Sequence, residues 1–261
     1  LTVNRIGLGT NRITDIPAAH DLLRRALELD INFIDTAYVY SDGNSEATIG
    51  ATLVPYKPGL IIATKGGIAS QRDGHGPMGS PKQLRSQLET SLRRLKVDSI
   101  DLYQLHRVDP EVPLAETVAA LKQFQTEGLI RNIGLSEVTL EQLQEALTVV
   151  SIASVQNEYN VANRKHEVVV DFCSAHAIAF IPWFPLGGLR GDTVKVEAKV
   201  KAMAEKYGVS AQQIALAWLL RRSPMLLPIP GTVSINHLED NLRAASVQLS
   251  NDDYIALSSQ E

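Results

Sequence analysis

Only one cysteine, Cys173, occurs among the 261 residues. That excludes an internal disulfide and fits a reducing compartment. No apolar run approaches the roughly 18 residues that would suggest a membrane span. There is no basic excess: the formal charge is −4 at pH 7, so nothing is in surplus to neutralise nucleic-acid phosphates. The six histidines show no metal-ligand spacing and Cys173 has no partner, so no metal is expected. No Gly/Ser linker, charge block or low-complexity stretch divides the chain, which reads as a single domain over residues 1–261. With 44% hydrophobic and 21% charged residues, the composition is that of a soluble globular protein, and the cytoplasm is the expected location.

What is present is a regular alternation of short β-rich runs and helical stripes. Strand-like runs occur near Ile6–Gly9, Asn32–Asp35, Leu60–Lys65, Ile100–His106, Arg131–Ser136, Ala153–Gln156, Ala179–Pro182 and Met225–Ile229. Between them, Leu84, Leu88, Leu92 and Leu95 recur on one helical face, as do Leu114, Val118, Leu121 and Phe124. Leu140, Leu143, Leu147 and Val150 repeat the pattern, and Ile214, Ala217, Trp218 and Leu219 begin another stripe. Ser80-Pro81 supplies an N-cap and a first-turn proline, and Gly128 and Gly208 sit where helices end. Eight strand-then-helix units in this length predict an α/β fold, a closed (β/α)8 TIM barrel, with a doubly wound open sheet as the alternative.

In such a barrel the active site lies at the C-terminal ends of the strands. Asp35, Lys65, His106, Ser136, Gln156 and Trp183 all fall at or just past strand ends, and Gly231 and Thr232 follow the last strand. Tyr40 lies five residues beyond Asp35, at the start of a loop. Taken singly, Asp35 reads as a turn cap, Tyr40 as loop packing, Lys65 as a surface lysine and His106 as a core histidine. Their joint placement at successive strand ends points to one proton-handling site. A lysine ammonium favours a nearby phenolate, a carboxylate keeps that lysine charged, and histidine can orient a carbonyl oxygen.

The chain resembles the aldo-keto reductase family over essentially its full length. The matching residues are Asp35-Thr36-Ala37-x-x-Tyr40, Thr64-Lys65, Leu105-His106, Ile133-Gly134-Leu135-Ser136, Val155-Gln156 and Pro228-Ile229-Pro230-Gly231-Thr232. The Ile-Pro-Gly-Thr segment makes it similar to compact bacterial-type members. The resemblance implies a barrel that reduces a small aldehyde or ketone with a nicotinamide cofactor, NADPH being favoured and NADH possible. Tyr40 would be the general acid, Lys65 its partner, Asp35 the partner of Lys65, and His106 the carbonyl-orienting group.

The same resemblance implies the cofactor contacts. Ser136 and Gln156 would bond the nicotinamide carboxamide, and Trp183 would lie against its ring. Phe184, Pro185, Leu186, Gly187, Gly188 and Leu189 would follow the pyrophosphate. Gly231, Thr232, Ser234, His237, Asp240 and Asn241 would hold the adenosine 2′-phosphate and adenine, although Ser234 to Asn241 reads equally well as an N-capped helix. Thr10, Asn11 and Asp35 would join from the first two strand ends. A channel-subunit-like or redox-sensing protein that binds NADPH with little turnover is the alternative within the same family fold.

Two departures stand out. Many relatives carry asparagine after the serine matched by Ser136, whereas this chain has Glu137, an acid that either alters cofactor binding or points away. Several relatives use lysine and arginine at the 2′-phosphate, and Gly231 and His237 occupy those positions here. Other motifs fail their context. Gly7-Leu8-Gly9-Thr10-Asn11-Arg12 does not open a helix as a dinucleotide fingerprint must. His106-Arg107-Val108-Asp109 lacks the other kinase signatures. The segments after His106 and from Gly188 to Thr193 are short, so the expected pocket is open and shallow, and neither substrate nor oligomeric state is legible.

Overall fold

The computed structural model describes residues 2–69, 76–187 and 194–259. Seven strands form one parallel sheet in sequence order: β1 (Leu8–Gly9), β2 (Phe33–Asp35), β3 (Ile61–Gly66), β4 (Leu102–Leu105), β5 (Ile133–Ser136), β6 (Ser154–Gln156) and β7 (Ala179–Phe180). The sequential order excludes a doubly wound sheet, whose order reverses at a switch point. The expected eighth strand is present as an extended segment making isolated bridges, Phe180 to Leu226 on one side and Gly9 to Gly231 on the other. Pro228 and Pro230 supply no N–H, so a regular ladder cannot form there. Carbonyls still serve: Gly7 N donates to Pro228 O at 3.0 Å, and Phe180 N to Met225 O at 2.8 Å. The curled sheet thus closes into a TIM barrel.

Helices cover the outside: α1 (Pro17–Glu28), α2 (Asn44–Leu53), α3 (Pro81–Leu95), α4 (Leu114–Thr126), α5 (Leu140–Leu147), α6 (Glu167–Ala175), α7 (Val194–Tyr207), α8 (Ala211–Arg222), α9 (Ile235–Arg243) and α10 (Asn251–Ser258). Local chemistry sets their ends. Ser80 accepts from Gln83 N and is followed by Pro81, while Thr139 and Ser210 each form reciprocal capping boxes with a glutamine three residues on. Two helices, α7 and α8, follow β7 rather than one. No helix among the described residues is long and apolar enough to cross a membrane.

The period-two alternation of the strands separates two apolar layers. Ile34, Ile62, Tyr103, Leu135 and Val155 face outward into a shell shared with Leu22, Leu88, Val118 and Leu121 of the helices. Phe33, Ile61, Ala63, Leu102, Ile181, Leu227 and Ile229 form a separate plug inside the barrel. Two residues further along the same inward face come Asp35, Lys65 and Gln104. One alternation therefore builds an apolar floor and sets a polar layer on top of it. Trp218 is core, stacked on Tyr159 at 5.7 Å. Cys173 is buried, and burial pushes its thiol up to about 12, so it is inert at neutral pH.

Candidate active site

Lys65 and Asp35 meet at the top of the apolar plug, with side chains 0% and 1% exposed. Lys65 Nζ donates to Asp35 Oδ1 at 2.5 Å, to Thr36 O at 2.8 Å and to the Tyr40 hydroxyl oxygen at 3.2 Å. Burial pulls the ammonium down, but the charges and hydrogen bonds of Asp35 and Tyr40 outweigh it and leave its pKa raised. Asp35 Oδ2 accepts from Gln156 Nε2 at 2.9 Å and from Gln104 Nε2 at 3.2 Å. A buried ion pair is tolerable only with its remaining lone pairs and protons satisfied, and here they are.

The loop after β2 carries Tyr40 over this pair. Thr36 N donates to Ala63 O at 2.8 Å and Tyr38 N to Lys65 O at 2.9 Å, so β3 registers the loop directly. Ser41 and Asp42 then take left-handed backbone (φ 51° and 53°), followed by Gly43 at φ 89°. A β-carbon at Gly43 would also displace the Arg94 guanidinium, so both the backbone and the neighbour favour glycine there. Arg94 holds the loop from behind, donating to Tyr38 O at 3.0 Å and to Glu46 at 3.1 Å. Glu46 is fully buried and also accepts from Thr64 at 2.6 Å; burial pushes its pKa up. Gly134 matters in the opposite direction, since a β-carbon there would meet Ser154 Oγ at 2.3 Å and Gln104 Cγ at 2.8 Å. Its absence leaves room for the glutamine that supports Asp35.

A cavity of about 310 Å³ opens above Asp35 and Tyr40. His106, one residue past β4, lines it with its ring 5.9 Å from that of Tyr40, edge to face. Thr10, Asn11, Ser136, Gln156, Trp183 and Phe184 to Leu186 complete the walls, with Gly231 at the rim. Lys65 lies beneath Tyr40 rather than on the surface of the cavity. A second hollow continues past Gly231, lined by Thr232, His237, Asp240 and Asn241 together with Arg12, Leu186 and Gln212. Ser234 instead caps α9, its hydroxyl accepting from His237 N at 3.5 Å. Gly187 packs on Phe184 and Asn160 and faces neither hollow. Gly188 and Leu189, like the rest of the Gly188–Thr193 segment, lie outside the described residues.

Some side chains differ from expectation in what they touch. The Gln156 amide N–H is turned to Asp35, leaving its carbonyl oxygen for a ligand. Thr10 commits its hydroxyl to Asp35 O at 2.8 Å, bracing the strand end. Glu137 points away from the cavity interior: its Oε1 accepts from the Trp183 indole N–H at 2.6 Å and from Glu158 N at 2.7 Å. Burial raises the pKa of Glu137, but His166, the Trp183 N–H and the Glu158 amide outweigh it and hold the carboxyl at about 2.

Sequence reasoning missed Gln104, Arg107, Glu46 and Arg94. Gln104 had a readable signal, since it lies two residues before His106 and must share its inward face. Arg107 reaches across the cavity wall to His106 O at 2.6 Å and Ser136 Oγ at 3.3 Å. Glu46 and Arg94 sit on helices, where a charge ordinarily reads as a solvated face.

The donor set fits a flat, amide-bearing aromatic ring. A hydroxyl and an amide carbonyl stand on one wall, an indole on another, and a cation-backed hydroxyl on the floor. The chain matches the aldo/keto reductase family over residues 5–260. An uncharacterised oxidoreductase of Schizosaccharomyces pombe is 45% identical over 268 residues, covering 98% of this chain and 86% of that protein. Pyridoxine 4-dehydrogenase of Escherichia coli is 36% identical over 265 residues, with 95% and 92% covered. An aldo/keto reductase from Klebsiella pneumoniae, solved with NADP and acetate, superposes with a TM-score of 0.85 at 29% identity, covering 98% of this chain and 90% of that one. The chain belongs to the aldo/keto reductase family and is an NAD(P)H-dependent oxidoreductase acting on small carbonyl compounds.

Proposed function

We propose that the protein reduces a small aldehyde or ketone to the alcohol with NADPH, using Tyr40 as general acid. The observation that carries this is the continuous chain Asp35–Lys65–Tyr40, with contacts of 2.5 and 3.2 Å, beneath a cavity walled by His106 and Trp183. A bound reduced nicotinamide supplies the hydride to the carbonyl carbon. The Tyr40 O–H gives its proton to the oxygen that becomes negative, leaving a phenolate. The Lys65 ammonium stabilises that phenolate, and Asp35 keeps Lys65 charged inside the barrel. His106 donates to the carbonyl oxygen and orients it over Tyr40. Proton donation on the order of 10²- to 10⁴-fold in rate is what this group is asked to supply.

Ser136 and the Gln156 carbonyl would hold the carboxamide, and the Trp183 ring would lie against the nicotinamide. The Phe184–Leu189 segment would run along the pyrophosphate. The second hollow, where Arg12 supplies a cation, His237 a ring nitrogen and the capped start of α9 its amides, would take the 2′-phosphate and adenine. That one cation and those amides favour NADPH over NADH. A reducing, cytoplasmic setting fits the lone buried Cys173.

The test is titration of the protein with NADPH and NADH, followed by an aldehyde and ketone panel with the tighter nucleotide. Pyridoxine belongs in the oxidation arm, since a relative bears its name. Turnover of at least one simple aldehyde with NADPH is expected. Tight NADPH binding with no turnover across the panel would favour the redox-sensing alternative instead.

A further inference from the structure

Glu137 is the first residue past β5, and its backbone is left-handed at φ 54°. That conformation is one non-glycine residues seldom adopt, and it takes the side chain out of the in–out alternation of the strand. The carboxylate runs sideways along the rim to the next two strand ends. There it accepts from Glu158 N at 2.7 Å and from Trp183 Nε1 at 2.6 Å, while the Trp183 backbone N–H donates to Asn157 O at 3.2 Å. The indole that walls the cavity is thus pinned at both its ring nitrogen and its main chain.

The placement of charge is uneven. Lys165, at 3.8 Å, and the His166 ring, at 3.9 Å, approach Oε2, the far oxygen. Oε1, which faces the indole, is served only by neutral N–H groups. Lys165 is 51% exposed and shared with Glu158 at 3.6 Å, so it screens rather than cancels the charge. Glu137 itself is 18% exposed. A carboxylate hydrogen-bonded to an indole N–H enriches the ring, whose face already attracts cations.

We infer that Glu137 is a positioning residue: it fixes the Trp183 indole and, through its negative charge, biases the pocket toward the oxidised, cationic form of a nicotinamide bound against that ring. The inference rests on the cofactor placement proposed above. Only an interaction that differs between two ligand states can shift their relative affinity. The oxidised ring is a cation and the reduced ring is neutral, so fixed negative charge beside them discriminates. A neutral acceptor at position 137 would hold the indole equally well and discriminate less.

Calorimetric titration with NADP+ and NADPH separates these roles in wild type, Glu137→Gln, Glu137→Ala and Trp183→Phe. Glu137→Gln keeps an acceptor for the indole and removes the charge. It should bind both nucleotides while its NADP+ to NADPH affinity ratio falls on the order of fivefold, the scale of one partly screened charge at an effective dielectric of about 20. Glu137→Ala should weaken both nucleotides, because the ring is no longer held. Trp183→Phe keeps a ring and the carboxylate but breaks the link, and its ratio should fall as well; this variant decides the matter if the position 137 variants do not fold. A ratio unchanged within about twofold in Glu137→Gln, or in Trp183→Phe where the position 137 variants do not fold, with both nucleotides bound, overturns the inference and leaves the proposed function standing. Failure of the wild type to bind either nucleotide overturns the cofactor reading, and this inference with it.

Discussion

Two carboxylates on one barrel rim, Asp35 at the end of β2 and Glu137 just past β5, are used in opposite ways. Asp35 is 1% exposed and its charge is matched at 2.5 Å by Lys65, so the pair is neutral and its purpose is to keep an ammonium under Tyr40. Glu137 has its close bonds from neutral donors and its nearest lysine at 3.8 Å, so the carboxylate itself remains the local charge. The difference lies in the surroundings, not the residue type. A strand end that points inward over an apolar plug demands a counterion, whereas one turned sideways among backbone amides does not.

They should also fail at opposite ends of the pH scale. The folded pKa of Lys65 is raised above its ordinary 10.5, so its contribution to stability is complete below that value and is lost as pH rises through the folded pKa. The folded pKa of Glu137 is depressed to about 2 from 4.5. Its contribution is complete above 4.5 and is lost as pH falls toward 2.

The most severe way to break the comparison is to remove the floor's cation. Lys65→Met should lower kcat by about 10²- to 10⁴-fold, with a smaller change in KM and a pH–rate profile that no longer matches wild type. Next in size, Gly134→Ala places a methyl group against Ser154 and Gln104. It should cost roughly 1–3 kcal/mol of stability by overpacking and lower turnover by displacing a donor to Asp35, read from denaturation midpoints and kcat.

A smaller effect tests the wall. In denaturant titrations, Glu137→Gln should be less stable than wild type by about 1–2 kcal/mol at pH 6, with the gap narrowing below pH 4.5 and closing only as pH reaches about 2. A gap that persists at low pH would assign the loss to packing rather than charge. Smallest of all, Lys165→Ala should change stability by no more than about 0.5 kcal/mol, since the lysine is half exposed and its contact long. A larger loss would mean that the cation, not the neutral donors, holds Glu137 ionised.

The contrast also marks how far the sequence could be read. Asp35, Lys65 and His106 were legible because strand alternation places them on the inward face, two residues beyond Phe33, Ala63 and Gln104. The same rule could have found Gln104. The eighth strand was legible as an extended run, but its pairing was not, because Pro228 and Pro230 interrupt the ladder that Gly9 and Phe180 would otherwise complete. Glu137 stood out in the sequence but its direction stayed open, because a left-handed residue at a strand end obeys no alternation and its side chain follows the neighbours it finds. Glu46 and Arg94 escaped for a related reason: a buried pair on two helices reads from sequence as two surface charges.

The most direct measurement is NADPH-dependent turnover of an aldehyde substrate by Tyr40→Phe, alongside its NADPH dissociation constant. The variant keeps the ring against His106 and removes only the hydroxyl above Lys65. Turnover should fall by about 10²- to 10⁴-fold while NADPH affinity stays within about twofold of wild type. Near-normal turnover with NADPH still bound would contradict the assignment of Tyr40 as the acid and leave the Asp35–Lys65 pair without its proposed purpose.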